Sequence, residues 1–463
     1  MSADFAFADA AEILQSAREL LEASLFSYQN EPVGTRAALS AGVAAENYAD
    51  CFIRDFVPSA LVFLFDGRSD IVRHFLRVAL RLRGLQEEIE GHRNLPRVMP
   101  ASFRVEREAD GSEVLHADFG DRAIGRVAPV DSMMWWVLIL QAYVNMSGDS
   151  ALAEEPAFQR GLQSILSVLL YDRFEVFPTL LVPDGAFMID RRMGVYGHPL
   201  EIQALFFATL NAMQELLVPD TVTGPMLEQA AKRRAHLTEY VRSFYWLDLP
   251  RLNEIHRYET EGFGHDIANP LNIYPESIPE WVSDWVPDDA GYLLGNLGPG
   301  RMDFRFFALG NLLSVVFGLS TDEQNTAIMN LFDHRWSDLI GRMPVKLVYP
   351  ALVGVEWQLL TGSDPKNTPW SYHNGGNWPV LLWPFVAAVL RAGRRDLAVG
   401  ALDVARMRLY RDDWPEYYDG RSGRMIGRRA NTRQVWTAAS LILAEVLIEQ
   451  PDRLSFWDAK IHL

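Results

Sequence analysis

The sequence predicts an all-α fold, an (α/α)6 barrel in which inner and outer helices alternate around a ring. Three observations predict it. Apolar residues recur at three- and four-residue spacings in roughly thirteen segments, as amphipathic or buried helices require. Strand-like alternation is scarce and short. Long connections carrying Trp, Tyr, His, Asn and Gly stand in about every second gap between helices, and loops of that length in a compact fold are usually functional. A ring would gather them at one mouth, so residues 1–463 read as a single domain.

The helical segments follow in order. Residues 9–25 place Ile13, Leu14, Ala17, Leu20 and Leu21 on one face. The same spacing predicts helices over 56–65, 71–85, 131–144, 158–170, 199–217 and 225–244 in the first half. The second half adds 304–317, 322–331, 351–360, 378–392, 395–408 and 434–448. A hairpin is predicted where 103–106 can pair with 114–116 across Asp110-Gly111, a turn-forming dipeptide. The long connections are 93–129, 174–198, 247–302, 362–377 and 412–433. No fixed-period repeat is visible, which excludes a solenoid array.

Composition removes several classes. The chain has 49% hydrophobic residues, enough for a large core. Its net charge of -17 lacks the basic footprint that nucleic acid or an anionic membrane needs, so neither is expected as a partner. The most apolar stretch, 380–390, falls well short of the roughly 20 residues that span a bilayer, and Pro384 interrupts it. The single cysteine, Cys51, sits in an apolar segment and reads as core. No H-E-x-x-H pair or Cys cluster occurs, so no metal is expected. No phosphate-binding glycine motif stands in its proper context, so no nucleotide cofactor is expected either. No basic residue precedes Arg18 and no apolar leader run appears, so the chain is expected in the cytoplasm.

The chemistry-bearing residues cluster in the connections. Asp184 to Gln203 packs Asp190, Arg191, Arg192, Tyr196, His198 and Glu201 just before a helix. Asp190 could face a pocket there, or pair with Arg191 or Arg192 to order the loop. Pro199 suits the first turn of that helix and Glu201 its dipole. Residues 412–421 hold Asp412, Asp413, Trp414, Glu416, Tyr417, Tyr418 and Asp419, with Pro415 stiffening the turn at Glu416. Aromatic faces beside carboxylates suit a sugar, whose C–H face stacks while its hydroxyls donate. A solvated acidic turn is the alternative. Residues 370–379 hold Trp370, Tyr372, His373, Asn377 and Trp378, with Asn377 placed to cap the following helix. Asp55 with Arg54, and Asp131 ahead of Trp135, stand at helix starts, where capping is the default reading. Gln434 and Trp436 follow the acidic turn.

Together NYADCFIRDF, DFGDRAIGRVAPVDS, MIDRRMGVYGHPLEIQALF, WSYHNGGNWPVLLW and DWPEYYDGRSGRMIGRRA resemble the neutral/alkaline invertases, glycoside hydrolase family 100, of the bacterial or cyanobacterial type. The likeness runs from about Asn47 to Pro451. The resemblance implies an (α/α)6 barrel that hydrolyses sucrose to glucose and fructose, cutting on the glucosyl side with inversion. It implies Asp190, in MIDRRMG, as general acid and Glu416, in WPEYYDG, as general base. It also implies a homo-oligomer. Asp55, Asp131, Trp135, Tyr196, His198, His373, Asn377, Trp378, Gln434 and Trp436 are the expected substrate contacts. Arg191 and Arg192 would depress an acid they touched, so they are expected to turn elsewhere, toward Glu201 or Asp184. The competing readings are an (α/α)6 glucosidase for another disaccharide, a sugar epimerase, and a non-catalytic sugar-binding helical protein. Epimerases often set two histidines across one carbon, whereas the paired loop residues here are carboxylates.

Overall fold

A computed structural model describes residues 8–39, 47–83, 99–120, 129–171, 178–182, 185–189, 191–257, 277–298, 301–426 and 431–458. Among them, twelve helices build two rings. They are α1 (Ala10–Ser24), α2 (Ile53–Phe65), α3 (Ser69–Leu82), α4 (Ser132–Ser147), α5 (Pro156–Leu169) and α6 (Leu200–Leu216). The others are α7 (Thr223–Tyr240), α8 (Ala308–Val316), α9 (Asp322–His334), α10 (Leu382–Arg391), α11 (Arg395–Arg411) and α12 (Val435–Glu449).

The even-numbered helices touch in the cycle α2–α4–α6–α8–α10–α12 and back to α2, and form the inner ring. Their sequences explain the placement. In α4 every residue from Ser132 to Tyr143 is buried, and in α12 every residue from Val435 to Ala444. A helix apolar on all sides must be surrounded. The outer helices bury a stripe: α3 covers Ile71, Val72, Phe75, Leu76, Val78, Ala79 and Leu82 and leaves Arg77 and Arg81 outside. The (α/α)6 barrel predicted from periodicity is the observed architecture.

The connections are asymmetric. Each inner helix but the last, α12, passes to the next outer one through a short connection, as at 66–68, 217–222 and 392–394. Each outer helix returns through a long segment, so every long segment ends at an inner-helix N-terminus and all share one mouth. Short sheets brace that mouth. The predicted hairpin forms as Ser102–Arg107 against Glu113–Asp118, with Glu106 opposite Val114 and Gly111 at φ +87 in the turn. Cys51–Phe52 adds the third strand, and Cys51 is fully buried.

The structure departs from the predicted elements at Leu25–Thr35, an unpredicted hairpin, and most of all between 247 and 307, where helices Leu249–Arg257 and Glu280–Trp285 and two strands stand in the segment read as loop. Residues 301–307 form a strand, and α8 starts only at Ala308. That strand pairs with Gly291–Gly298, inside the segment read as a loop over 247–302. Every position of 291–297 is buried, so no polar–apolar alternation marks it.

Among the described residues, no helix is long and apolar enough to cross a membrane.

Candidate active site

The site lies where the inner-helix N-termini meet the long segments. A cavity of about 110 Å³ opens there, with Tyr48, Asp55, His373, Trp378, Glu416 and Trp436 among its lining residues.

Helix starts build its floor. Pairing of Cys51–Phe52 with Ser102–Phe103 fixes the entry to α2, whose first turn carries Arg54 and Asp55. The Arg54 guanidinium donates through Nη1 to Asp131 Oδ2 at 2.8 Å. Asp131 stands at the N-cap of α4 but makes no capping bond, so the ion pair replaces the cap expected from its position. Glu201, in the first turn of α6, is 1% exposed, and its Oε1 accepts the Met188 N–H at 3.1 Å.

Three carboxylates thus gather around one guanidinium: Asp131 and Glu201 are buried, while Asp55 and Arg54 are half-buried where they line the cavity. Burial pushes Asp55 up to about 7, with Glu416 and Asp131 adding to the shift and Arg54 opposing it. Burial and then Asp131 push Glu201 up to about 8, again against Arg54. Asp131 is raised by burial, with Arg54 pulling it back. Burial thus favours the protonated form of Asp55 and of Glu201 toward neutral pH.

Loops build the opposite wall. Glu416 is 5% exposed, and its two oxygens are bonded separately. Tyr48 Oη donates to Oε1 at 2.7 Å, and Asn431 Nδ2 donates to Oε2 at 2.9 Å. The Glu416 N–H donates to the Asn431 carbonyl at 2.9 Å, so side chain and backbone are anchored by one residue. Beside it the rings interlock. Tyr372 stacks on His373 with centroids 3.9 Å apart, Trp378 stacks on Tyr417 at 5.4 Å, and Trp436 meets Trp378 edge-on at 5.9 Å. Asn377 pairs with Tyr418 through both backbone bonds, tying the ring-bearing segment to the Glu416 segment. Gly420 completes the seam. A Cβ there would stand 1.8 Å from the Gly375 carbonyl oxygen, so only glycine fits.

The expected site residues divide. Asp55, His373, Trp378, Glu416 and Trp436 line one cavity. Asp131 stands behind it through Arg54. Gln434 is 1% exposed at the start of α12, one turn position before the Trp436 wall, and its Nε2 has no partner among the described residues. Four expected contacts stand away from the cavity lining. Trp135 is buried inside the barrel, 6.2 Å from Trp457. His198 Nδ1 is bonded to Thr179 Oγ1 at 2.8 Å and its carbonyl accepts from Tyr245, so it fastens the start of α6. Tyr196 is half exposed, and its carbonyl accepts from Asn296. Asn377 gives its side-chain oxygen to Lys346 Nζ at 3.2 Å, which corrects its reading as a helix cap. Asp190 lies outside the described residues. The segment before it is held at two points, by Val130 N–H on the Ala186 carbonyl at 2.9 Å and by Met188 N–H on Glu201. Arg192 pairs with Asp364 at 3.0 Å, not with Glu201, and Asp184 also lies outside the described residues.

Comparison with known proteins decides the family. Residues 17–451 match the family described as alkaline and neutral invertase. The chain belongs to that family. Cytosolic invertase 1 of Oryza sativa subsp. japonica is 49% identical over 96% of this chain and 79% of its own length. The mitochondrial alkaline/neutral invertase C of Arabidopsis thaliana is 48% identical over 98% of this chain and 69% of its own. The chain is accordingly a glycoside hydrolase of the invertase type. Among solved structures, a bacterial glucoamylase complexed with acarbose superposes with a TM-score of 0.57 at 11% identity over 96% of this chain, which spans 57% of that one. A wild-type glycosidase superposes with 0.56 at 14% identity over 98% of this chain and all of that one. At such identities these neighbours bear on the fold alone.

Three residues of this invertase that hold site groups in place were not nominated from sequence. Tyr48 and Asn431 hold Glu416, and Glu201 holds the Met188 backbone. Tyr48 and Glu201 fall inside the motifs that carry the family likeness, but a tyrosine or glutamate that acts through another residue has no sequence signal of its own. Among the described residues, no group of three or more His, Cys, Asp or Glu could hold a metal ion.

Proposed function

We propose that this invertase hydrolyses sucrose to glucose and fructose by a single displacement that inverts the anomeric carbon. Glu416 is the general base and Asp190 the general acid. The observation that carries the reading is the setting of Glu416. It is a buried carboxylate in the cavity wall, aimed by Tyr48 and Asn431, beside a cluster of rings. An inverting glycosidase needs one carboxyl to protonate the leaving oxygen and a carboxylate opposite it to take a proton from the attacking water. The two stand about 6.5–9.5 Å apart to admit that water. Ala186, Phe187 and Met188 line the same cavity, and they lead directly into Asp190.

The other residues bind. Trp378 and Trp436 offer faces and edges to the sugar ring. Asp55, near 7, can accept from or donate to a hydroxyl according to its protonation, and Arg54 donates. The barrel works as one catalytic unit, because its ring closes only when α12 reaches α2. Cytoplasmic residence remains part of the proposal, since the relatives' names include cytosolic and mitochondrial proteins.

The test is substitution. Glu416→Gln and Asp190→Asn should each lower kcat on sucrose by about a hundred- to ten-thousandfold, the scale of a lost acid or base, with the helical circular dichroism retained. Retention of most activity by either variant would remove that residue from its role.

A further inference from the structure

A second cavity, of about 350 Å³, lies behind the loop wall. Its lining includes Trp336, Asp338, Arg342, Asn377, Gly420 and Arg421. Asn377 and Gly420 belong to the paired segments that carry Trp378 and Glu416 on their other side, so the two cavities share a wall.

The charges around this cavity do not cancel. Arg342 and Arg421 are exposed, and neither guanidinium has an ion-pair or hydrogen-bond partner among the described residues. Lys346 stands behind the wall at 2% exposure. Its ammonium donates to Asn377 Oδ1 at 3.2 Å and to the Gly420 carbonyl, both uncharged acceptors. The Trp370 ring serves both cations, with Lys346 Nζ and the Arg421 guanidinium carbon each 5.1 Å from its centroid. The nearby acids are engaged elsewhere. Asp338 Oδ2 accepts the Trp285 indole N–H at 3.0 Å, and Asp419 Oδ1 accepts from the Arg421 N–H and from both the N–H and hydroxyl of Ser422. Burial lowers Lys346 to about 8, with Asp338 and Asp419 opposing. A buried ammonium without a bonded counter-ion is costly, and an anion in the cavity would relieve it.

We propose that this second cavity is a binding site for a phosphate-bearing anion, held by Arg342 and Arg421 over the charge of Lys346. Guanidinium groups suit this ligand because their paired N–H donors match phosphate oxygens. The source of the phosphate group is either free inorganic phosphate or a hexose phosphate, in which Trp336 would face the sugar.

Calorimetric titration of the full chain with inorganic phosphate, at ionic strength held constant with sodium chloride, tests the site. The expected result is saturable one-to-one binding that weakens at least tenfold in the double variant Arg342→Ala/Arg421→Ala. It should persist in Glu416→Gln and in the presence of saturating glucose. Both arginines are exposed, so the variant should fold. Should it not, Arg342→Gln and Arg421→Gln singly should each weaken binding. Glucose 6-phosphate displacing phosphate with higher affinity would identify a hexose phosphate as ligand, and equal affinity would identify the phosphate group alone. Absence of saturable binding, binding unchanged by the arginine substitutions, or displacement by glucose would overturn the proposal.

Discussion

The floor and the wall of the cavity solve the same problem, placing carboxylates out of water, by different means. The floor carboxylates Asp55, Asp131 and Glu201 sit on inner-helix N-termini and share Arg54. Their state is set by burial and mutual charge. Glu416, on the wall, is held by a phenol, an amide and a backbone seam. The floor is fixed by the barrel and tuned by protons, whereas the wall is fixed by short hydrogen bonds between loops and tuned by geometry. Damage to the floor should therefore register first in stability and its pH dependence, and damage to the wall in turnover and affinity.

The largest effect on stability is expected from Arg54→Met. It leaves Asp131 and its neighbours without their cation, and breaking such a buried pair costs about 3–5 kcal/mol, read from urea unfolding at pH 7. An unchanged midpoint would mean that the floor carboxylates are held without it. Gly420→Ala strikes the wall instead. Its methyl would collide with the Gly375 carbonyl, so a loss of about 1–3 kcal/mol is expected together with a fall in kcat as the Glu416 segment shifts. Stability lost with kcat intact would separate the seam from the base. Trp436→Phe keeps a ring in the wall but removes an indole N–H that has no partner among the described residues. If that N–H meets the sugar, KM should rise about two- to tenfold with kcat kept, the size of one hydrogen bond.

The pH dependence of stability is the most diagnostic reading of the floor. Glu201 stands at about 8 when folded, against about 4.3 in an unfolded chain. Between those values the folded chain keeps the proton and the unfolded chain releases it. Stability therefore falls as pH rises from about 4 to about 8, and this group adds nothing further above that. Glu201→Gln should flatten part of that decline, so melting curves across pH 5 to 8 should converge at the acid end and separate at the alkaline end in favour of the variant.

The ring was legible because an inner helix such as α4 is apolar throughout and an outer helix such as α3 is apolar on one stripe. The hairpin from Gly291 to Phe307 was not, because a strand buried on both faces shows no period of two, and three glycines broke its apolar run. In the site, Glu416, Trp378 and His373 were legible from the density of rings and acids in two connections. Asp131 and Asn377 were read as caps because both precede helices, while the partners that claim them, Arg54 and Lys346, are distant in sequence. Lys346 itself is one cation in the apolar run Pro344–Val348, and only the fold shows it behind a cavity.

The central claim is an inverting displacement with Glu416 as base. Proton NMR of sucrose during the first minutes of hydrolysis, before glucose mutarotates, tests it most directly. The account predicts that the β-anomer of glucose appears first, since inversion converts the α-glucosyl bond. Early α-glucose would mean retention and would contradict the account.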